Sequence, residues 1–546
     1  MVETISPQEV RNRLLAGGEL AFLDVREAGQ FGLGHPLLAV PLPYSRLELE
    51  VARLVPRRNA PVVLIDAGDG VADRAARRLE ALGYGDVATV EGGAPGWATA
   101  GYALFEGVNV PSKALGEHIE HAFETPAISP EDLRERVTRG EKIVLVDARP
   151  PAEYRRMTVP GALDCPGAEL IRRVPGLVED ETTPVVVHCA GRTRSIVGAQ
   201  TLIEAGLPNP VVALRNGTQG WSLAGFELAR DNAPVLPEVT ERGRAFATAA
   251  AARLAARHKI PKIPFATLQA WRAEPERTCY LLDVRTEEEY RAGHPAGAVH
   301  APGGQLVQAS DAWLGTRGAR VVLCDDGAAE GHARATATAL WLRTMGWDAA
   351  VLDDPEAAER ETGVARPAMP ALPEGAQWIA PEELSRRLAQ DPAEIDVVDV
   401  GESAGFRAGH TAGARWLPRP RLGGALRARP SERGLVLVSE DGTLAVLAAY
   451  DAQETIEAPA AVLRGGRNAW RAAGFPLESS PDDPPDSERI DFLFWVHDRH
   501  AGNKDSMREY LAWEQALPAR VAADGTLRFA PPAGAAQSSL RHRKHK

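Results

Sequence analysis

An internal repeat is the feature of this sequence that most restricts its fold. An apolar run that ends in aspartate occurs four times, with the aspartates at Asp24, Asp147, Asp283 and Asp399. A second apolar run follows each of them and ends 42, 42, 42 and 41 residues further on, at Asp66, Cys189, Asp325 and Glu440. So constant a spacing indicates tandem copies of one folding unit.

Each copy is predicted to be a small α/β domain with a mostly parallel sheet flanked by helices. The Val-, Leu- and Ile-rich runs are continuous rather than alternating, which indicates strands covered on both faces. Helix-like stretches separate them, and Ser129 before Pro130 is a typical helix start. We expect domains 1 to 4 at residues 1–105, 125–232, 261–366 and 376–480, a linker helix within 233–260, and a C-terminal tail at 481–546 that caps a domain.

Composition narrows the possible functions. A chain of 546 residues exceeds what one hydrophobic core normally serves. The net charge of −12 argues against a general nucleic-acid-binding protein, so local arginines must bind any anionic substrate. Four scattered cysteines do not suggest a disulfide framework, and no apolar run approaches the roughly 20 residues that span a bilayer. We expect a cytoplasmic protein without membrane or nucleic-acid partners.

The second copy carries a cysteine where the other copies have carboxylates. Cys189 closes an apolar strand and opens a loop that leads into a helix-like stretch beginning at Ser195. Backbone N–H groups at a helix N-terminus favour a thiolate and attract an anionic substrate. We therefore predict that Cys189 is a nucleophile rather than an inert packed thiol. The predicted substrate-binding loop comprises Ala190, Gly191, Arg192, Thr193, Arg194 and Ser195.

The remaining candidate residues have structural interpretations. A carboxylate suits a helix N-terminus but does not replace a nucleophilic thiol, so domains 1, 3 and 4 are predicted to be catalytically inactive. Cys324 precedes the matching position by one residue, and side-chain alternation predicts that it points away from the loop. His497 and His500 lack further ligands at suitable spacing, and we expect no metal site.

Four landmarks together resemble the rhodanese family of sulfurtransferases. They are an Asp-x-Arg after a strand, a Gly-His-x-x-Gly-Ala segment, the strand-to-loop cysteine and a closing Gly-Gly-x-x-x-Trp. The similarity reaches to about residue 480 and implies four tandem rhodanese-like domains. The second copy has Thr158 in place of the usual histidine, and the third copy lacks the closing tryptophan.

The resemblance implies a reaction and roles for several residues. Cys189 would take a sulfane sulfur from thiosulfate or a persulfide donor, hold it as a persulfide and pass it to a thiol, cyanide or protein cysteine. Arg192 and Arg194 would bind the anionic donor, while Asp147 and Arg149 would brace the domain. Cys165 lies where the family brings a loop near the site, so a resolving role is an alternative to a packed thiol. No cofactor is implied beyond the covalent cysteine persulfide.

Two other functions remain open at this point. His188-Cys189 followed by Arg194-Ser195 imitates the signature of cysteine phosphatases, in which five residues separate the cysteine from the arginine. Only four separate them here, which makes a tighter loop that suits sulfur better than phosphate. A non-catalytic scaffold that binds a sulfur-metabolism protein is the third possibility, because three copies lack the cysteine.

Overall fold

The computed structural model describes residues 2–364, 368–428, 433–456 and 460–531. The end of the expected tail, after residue 531, lies outside these ranges. Four five-stranded sheets follow one another along the chain, and every strand pair within them is parallel. The predicted set of four mostly parallel α/β domains is confirmed.

The strands have these bounds. Domain 1 contains β1 (Glu3–Ile5), β2 (Ala21–Asp24), β3 (Val40–Pro41), β4 (Val62–Ile65) and β5 (Val87–Val90). Domain 2 contains β6 (Ala127–Ile128), β7 (Val144–Asp147), β8 (Leu163–Asp164), β9 (Val185–His188) and β10 (Val211–Leu214). Domain 3 contains β11 (Lys262–Ile263), β12 (Cys279–Asp283), β13 (His294–Pro295), β14 (Val299–His300), β15 (Arg320–Cys324), β16 (Asp348–Leu352) and β17 (Arg360–Glu361). Domain 4 contains β18 (Gln377–Ile379), β19 (Ile395–Asp399), β20 (His410–Thr411), β21 (Arg415–Trp416), β22 (Gly434–Val438), β23 (Ala461–Leu463) and β24 (Leu477–Glu478).

The strand order is the same in all four domains. The sheets run β1-β5-β4-β2-β3, β6-β10-β9-β7-β8, β11-β16-β15-β12-β14 and β18-β23-β22-β19-β21. The short strands β13 with β17, and β20 with β24, form separate antiparallel pairs. In domain 2 the register pairs Asp147 with His188. The Asp-x-Arg motif and Cys189 therefore start from the carboxyl ends of neighbouring strands.

Helices cover the sheets and connect the domains. Domain 1 has α1 (Pro7–Ala16), α2 (Ala28–Leu33), α3 (Leu47–Leu54), α4 (Val71–Ala81) and α5 (Gly93–Thr99), and α6 (Val110–Phe123) follows it. Domain 2 has α7 (Pro130–Thr138), α8 (Pro151–Arg156), α9 (Leu170–Leu177), α10 (Thr193–Glu204) and α11 (Gly217–Leu223), and α12 (Glu241–His258) follows it. Domain 3 has α13 (Phe265–Ala273), α14 (Glu287–Ala292), α15 (Gly303–Gln308) and α16 (Ala333–Thr344). Domain 4 has α17 (Pro381–Gln390), α18 (Ser403–Ala408), α19 (Arg419–Ala428), α20 (Thr443–Gln453) and α21 (Gly466–Ala472), and the chain continues with α22 (Phe494–His500) and α23 (Lys504–Asp524).

Local sequence signals explain several helix ends. The Ser129 hydroxyl accepts a hydrogen bond from the backbone N–H of Asp132 at 3.0 Å, and Pro130 occupies the first turn of α7. In domain 3 a short 3-10 turn at Pro355–Ala357 stands where the other domains have α5, α11 and α21. This difference follows the missing Gly-Gly-x-x-x-Trp motif of that copy.

The linker helix α12 is more than a connection, because one of its faces packs against both neighbouring domains while the other stays exposed. Ala247, Ala250, Ala251 and Leu254 are fully or almost fully buried in a hydrophobic core that contains side chains of both domains 2 and 3. Across the same boundary, the Trp341 indole N–H donates to the Thr201 hydroxyl at 2.8 Å. The small alanine side chains of α12 allow α9 of domain 2 and α16 of domain 3 to pack closely against this helix. Domains 2 and 3 therefore share one core.

Domains 1 and 4 meet around a buried guanidinium. Arg419 lies in α19 with no exposed surface, and it contacts Glu48 at 2.7 Å and Asp451 at 2.8 Å. The ring of Tyr44 lies 4.5 Å from its Cζ, and the Tyr44 hydroxyl donates to Asp451. A fully paired buried charge of this kind fixes the relative position of the two domains.

The C-terminal helices bridge domains 1 and 2, and the apolar side chains Leu517 and Val521 of α23 pack in one cluster with Leu37, Leu38 and Phe105 of domain 1 and with Val110 and Ala114 of α6. In α23 the fully buried Glu514 accepts a hydrogen bond from the Thr193 hydroxyl at 2.6 Å, at the first turn of α10. Arg520 of the same helix contacts Glu106 at 2.9 Å. The tail therefore packs against domain 1 and α6, and through Glu514 it also reaches the first turn of α10, which follows Cys189. None of the helices in the described ranges combines the length and hydrophobicity needed to cross a bilayer.

Candidate active site

Cys189 lies at the carboxyl end of β9, four residues before α10 begins. Its side chain is 2% exposed. The Sγ atom is 3.6 Å from the Ser195 hydroxyl, which itself donates to the Arg192 carbonyl at 2.7 Å. Thr193, Arg194 and Ser195 form the first turn of α10 and not a loop, which corrects the predicted helix start at Ser195. The helix N-terminus is thus closer to the thiol than the sequence suggested.

Helix α11 is hydrogen-bonded to the backbone of the loop that contains Cys189. The backbone N–H of Thr218 donates to the Cys189 carbonyl at 2.8 Å, and that of Gln219 donates to the Ala190 carbonyl at 3.0 Å. Gly217 has a φ of +52°, and a Cβ atom there would lie 2.1 Å from the Cys189 carbonyl oxygen. Only glycine permits both this backbone conformation and this approach.

The two loop arginines, to which the resemblance gives the anionic donor, are both paired with carboxylates. Arg192 contacts Glu117 at 2.5 Å and also Glu120, both from α6. Arg194 makes a two-point contact with Glu153 of α8, at 2.6 and 2.9 Å.

The pairing of Arg194 with Glu153 balances the charge of that guanidinium at physiological pH. Burial acts against the charge of Glu153, but Arg194 outweighs it and lowers the Glu153 pKa to about 2. Because its charge is balanced, Arg194 attracts an anion less strongly than the sequence implied.

The Asp-x-Arg motif forms a buried brace beneath the cysteine loop. Arg149 is 2% exposed and contacts Asp147 through Nε at 2.9 Å and Nη2 at 2.6 Å. The Thr158 hydroxyl donates to the same carboxylate at 2.8 Å, where the other copies have histidine. Burial would raise the pKa of Asp147, but the surrounding charges and hydrogen bonds, those of His188 and Arg149 above all, lower it to about 2. The carboxylate stays charged and holds Arg149 in place.

Domain 4 replaces this brace with a residue that the sequence did not reveal. Gly401 stands where the other copies have arginine, and the guanidinium of Arg467 lies 3.4 Å from Asp399 instead. Arg467 also donates to the Gly409 carbonyl at 3.0 Å. A guanidinium therefore still lies beside the aspartate at the end of β19, although domain 4 lacks the Asp-x-Arg motif.

In two of the three domains that lack the cysteine, the carboxylate at the matching position accepts hydrogen bonds from backbone N–H groups. Asp66 accepts from the N–H groups of Gly68 at 2.8 Å and Ala72 at 3.0 Å. Asp325 accepts from Gly327 at 3.2 Å and Ala335 at 3.0 Å. Glu440 differs because its side chain is exposed.

The other cysteines are not among the residues that line the cavity at Cys189. Cys165 is completely buried in the core shared by domains 2 and 3, and burial together with Glu169 raises the pKa of its thiol. Cys324 is also fully buried, with a pKa raised by burial. His497 is exposed beside Asp498, while the side chain of His500 lies outside the described part. Within the described residues, no group of three or more His, Cys, Asp or Glu side chains is arranged to hold a metal ion.

Cys189 borders a cavity of about 200 Å³, which is large enough for a small anion and several water molecules. Residues that the sequence analysis did not single out form much of its wall. They are Val108, Asn109, Lys113, Glu153, Gln219, Gln305, Gln308, Ala309, Val496, Arg499, Tyr510 and Trp513. Many come from α6, α15, α22 and α23, which lie outside the repeat landmarks of domain 2, so motif spacing carried no signal for them.

Comparison with known proteins identifies the repeated unit. The family model of the rhodanese-like domain matches residues 6–100, 129–224 and 266–354, more than half of the chain. The chain belongs to the rhodanese family. Domain 4 has the same strand order as the three matched rhodanese domains.

One solved rhodanese structure is similar over almost the whole chain. It is a thiosulfate sulfurtransferase from Pseudomonas aeruginosa, with 42% sequence identity and a TM-score of 0.90. The alignment covers 97% of this chain and 99% of that chain. The arrangement of four rhodanese domains with a C-terminal segment is therefore shared by the two proteins.

Curated relatives match over single rhodanese domains. A sulfurtransferase of Allochromatium vinosum is 31% identical over 101 residues, which are 18% of this chain and 92% of that protein. The transcriptional regulator Rv0324 of Mycobacterium tuberculosis is 34% identical over 109 residues, or 20% of this chain. The chain spans 46% of the regulator and 57% of another curated relative. Such matches indicate one domain shared among proteins of different overall composition.

Proposed function

We propose that the protein is a sulfurtransferase that carries a sulfane sulfur on Cys189. The observation behind the proposal is this thiol at the end of β9, before the first turn of α10 and beside a polar cavity. The carboxylates at the matching positions of the other domains do not replace a nucleophilic thiol. The 42% identity to a thiosulfate sulfurtransferase over nearly the full length supports the same chemistry here.

The proposed cycle has two steps. In the first, the Cys189 thiolate attacks the outer sulfur of thiosulfate, the S–S bond of thiosulfate breaks, and its electron pair leaves with sulfite. In the second, a thiolate or cyanide attacks the terminal sulfur of the Cys189 persulfide and releases the Cys189 thiolate. Atoms and charge balance in both steps, so the cycle needs no redox partner and no cofactor.

Groups around the sulfur supply electrostatic stabilisation in this cycle. N–H groups in the first turn of an α-helix have no carbonyl partner within the helix, and they stabilise a nearby negative charge. The first turn of α10 follows Cys189 closely, and the Ser195 hydroxyl lies 3.6 Å from Sγ. We expect these N–H groups to stabilise both the thiolate and the persulfide anion, whereas the proton of the Ser195 hydroxyl is engaged by the Arg192 carbonyl.

Burial of the thiol favours small donors and acceptors. Cys189 is 2% exposed, and α22 and α23 contribute to the wall of its cavity. A protein cysteine could reach the sulfur only after these helices had moved. Thiosulfate as donor, with a small thiol or cyanide as acceptor, therefore fits the site better than a protein partner.

Sulfur loading is the direct test of this function. Incubation of the reduced full-length protein with thiosulfate should add the mass of one sulfur atom, located on Cys189 by peptide mapping. Subsequent addition of cyanide should remove that mass and release thiocyanate. A protein that gains no sulfur mass on Cys189 under these conditions would contradict the proposal.

Substitution of Gly217 tests the support of the cysteine loop. A Cβ atom in Gly217→Ala would collide with the Cys189 carbonyl oxygen and displace the loop. We expect kcat/KM for thiosulfate to fall about tenfold or more. Gly225→Ala is the matched control, because Gly225 also has a positive φ, +86°, but nothing lies within 4 Å of its Cβ position. Equal activity losses in the two variants would attribute the effect to backbone strain alone.

A further inference from the structure

We propose that Arg499 of the C-terminal segment, together with Lys113 of α6, binds the oxyanion group of an anionic sulfur donor at Cys189. The inference rests on the proposed sulfur-transfer function and names the residues that select its donor. Arg499, Lys113 and Cys189 all line the same cavity. The donor class is a small sulfur oxyanion, of which thiosulfate is the simplest member.

Arg499 has hydrogen-bonding capacity that the protein itself does not use. Its Nε and Nη1 atoms are buried, and neither has a partner among the described residues. A buried guanidinium N–H without an acceptor costs free energy, so such groups are normally satisfied. A ligand oxygen in the cavity would supply the missing acceptor.

The guanidinium of Arg499 lies over an aromatic ring. Its Cζ atom is 3.7 Å from the centre of the Tyr510 ring. The N–H groups of a guanidinium lie in its own plane, where they can make paired contacts with two oxygens of one oxyanion. Tyr510 is in turn held near the cysteine loop, because Glu514 on the next turn of α23 accepts from the Thr193 hydroxyl at 2.6 Å.

Among the described residues that line the cavity, Arg499 is the cation without a carboxylate partner, and Lys113 is more loosely paired than Arg192 and Arg194. Arg192 is paired with two glutamates, and Arg194 makes a two-point contact with Glu153. Lys113 lies 3.9 Å from Glu514, which is too long for a hydrogen bond.

Arg499 has no carboxylate within 4 Å in the part of the chain that the structure describes. An arriving oxyanion therefore finds positive charge at Arg499 that no protein carboxylate already neutralises.

The residue that is proposed to select the sulfur donor, Arg499, lies outside the four repeated domains. Helix α22 follows domain 4 in the sequence, yet it borders the cavity of domain 2. The thiol and its helix N-terminus come from the rhodanese repeat, whereas the proposed oxyanion contacts come from α6 and α22. A rhodanese domain without these segments would keep the nucleophile and lose this contact to the donor.

The first test measures thiosulfate kinetics in the full-length protein. We expect Arg499→Gln to raise the thiosulfate KM roughly ten- to a hundredfold, with a much smaller change in kcat. Arg499→Lys should lie between this variant and the wild type, since it keeps the charge but loses the planar fork. Arg508→Gln is the matched control, because Arg508 is 60% exposed on α23 and contacts Asp505. It should behave as the wild type.

The second test reads the local charge without relying on sulfur transfer. Iodoacetate is anionic and iodoacetamide is neutral, and both alkylate a reactive thiol. The rate of Cys189 alkylation by iodoacetate, divided by the rate with iodoacetamide, should fall severalfold in Arg499→Gln and in Lys113→Gln, but not in Arg508→Gln. Lys113→Gln also keeps the test decisive if Arg499→Gln does not fold.

The two tests separate failure of this inference from failure of the proposed function. If Arg499→Gln loads sulfur with an unchanged thiosulfate KM and an unchanged alkylation ratio, the inference is wrong and the function stands. If the wild type takes no sulfur from thiosulfate, the function is wrong. The alkylation ratio then still decides whether Arg499 and Lys113 form an anion site, and an unchanged ratio in both variants overturns it.

Discussion

Replacing Cys189 with serine should lower thiosulfate turnover by about a thousandfold or more. A serine hydroxyl stays protonated at neutral pH and cannot carry a sulfur atom as a persulfide. The two side chains are similar in size, and Cys189 is buried beside the Ser195 hydroxyl, so the fold should be retained. Thiocyanate release from thiosulfate and cyanide measures the activity, and an unchanged melting temperature verifies the fold.

Cys279→Ser is the matched control for this experiment. Cys279 is the least buried of the other three cysteines, and burial raises the pKa of its thiol to about 11. We expect full activity in this variant. Turnover that survives in Cys189→Ser would place the chemistry on another residue.

The two alternative functions make different predictions for the same variant. Hydrolysis of an aryl phosphate by the wild type, lost in Cys189→Ser and unaccompanied by thiosulfate turnover, would favour a phosphatase. The Arg194 side chain that a phosphatase would use for its phosphate is engaged with Glu153 here, at 2.6 and 2.9 Å. The absence of both activities in the wild type would favour a binding scaffold.

Removal of the buried carboxylate in Asp147→Ala should destabilise domain 2 by about 3–5 kcal/mol. The variant leaves the Arg149 guanidinium, 2% exposed, without its charged partner. Cys189 lies on the neighbouring strand end, so thiosulfate turnover should fall as well. Hydrogen exchange of the β7 and β9 backbone amides measures the local free energy of opening, which suits a chain of several domains.

Glu179→Ala provides the comparison for Asp147→Ala. Glu179 contacts Lys142 at 2.7 Å in the same domain, but both side chains are about three-quarters exposed. Exposed ion pairs contribute little to stability, so this variant should exchange like the wild type. Similar exchange in the two variants would show that the Asp147–Arg149 contact does not brace the domain.

Much of the fold could be predicted because the repeat carries it. The continuous apolar runs ending at Asp24, Asp147, Asp283 and Asp399 become β2, β7, β12 and β19, each in the same place of its sheet. The position of Cys189 after β9 follows from the same register. Apolar periodicity determines which residues form strands, and parallel strands bring their carboxyl ends to one edge.

The partners of individual charges could not be predicted in this way. Glu117 and Glu120 reach Arg192 from α6, a helix that the expected domain boundaries omitted. Arg467 takes the place of the missing motif arginine of domain 4 from 66 residues further on than Gly401. Side-chain pairing between distant elements depends on tertiary packing, for which sequence spacing offers no signal.

The contribution of the C-terminal helices was only partly predictable. The aromatic and helix-like tail suggested a cap on some domain, but nothing in its sequence indicated which one. The structure shows that it bridges domains 1 and 2: its apolar side chains pack against domain 1 and α6, Glu514 contacts Thr193 of domain 2, and Arg499 borders the cavity. Because this segment occurs once, comparison among the four repeats could not reveal its role.

The alanine face of α12 bears on how the protein can be divided for experiments. A fragment cut at residue 232 would leave the apolar surface that normally meets Ala247, Ala251 and Leu254 in contact with water. Such a piece would tend to aggregate even though its nucleophile is intact. An inactive excised fragment would therefore say little about chemistry, whereas residues 106–364 expressed as one polypeptide would retain this shared interior.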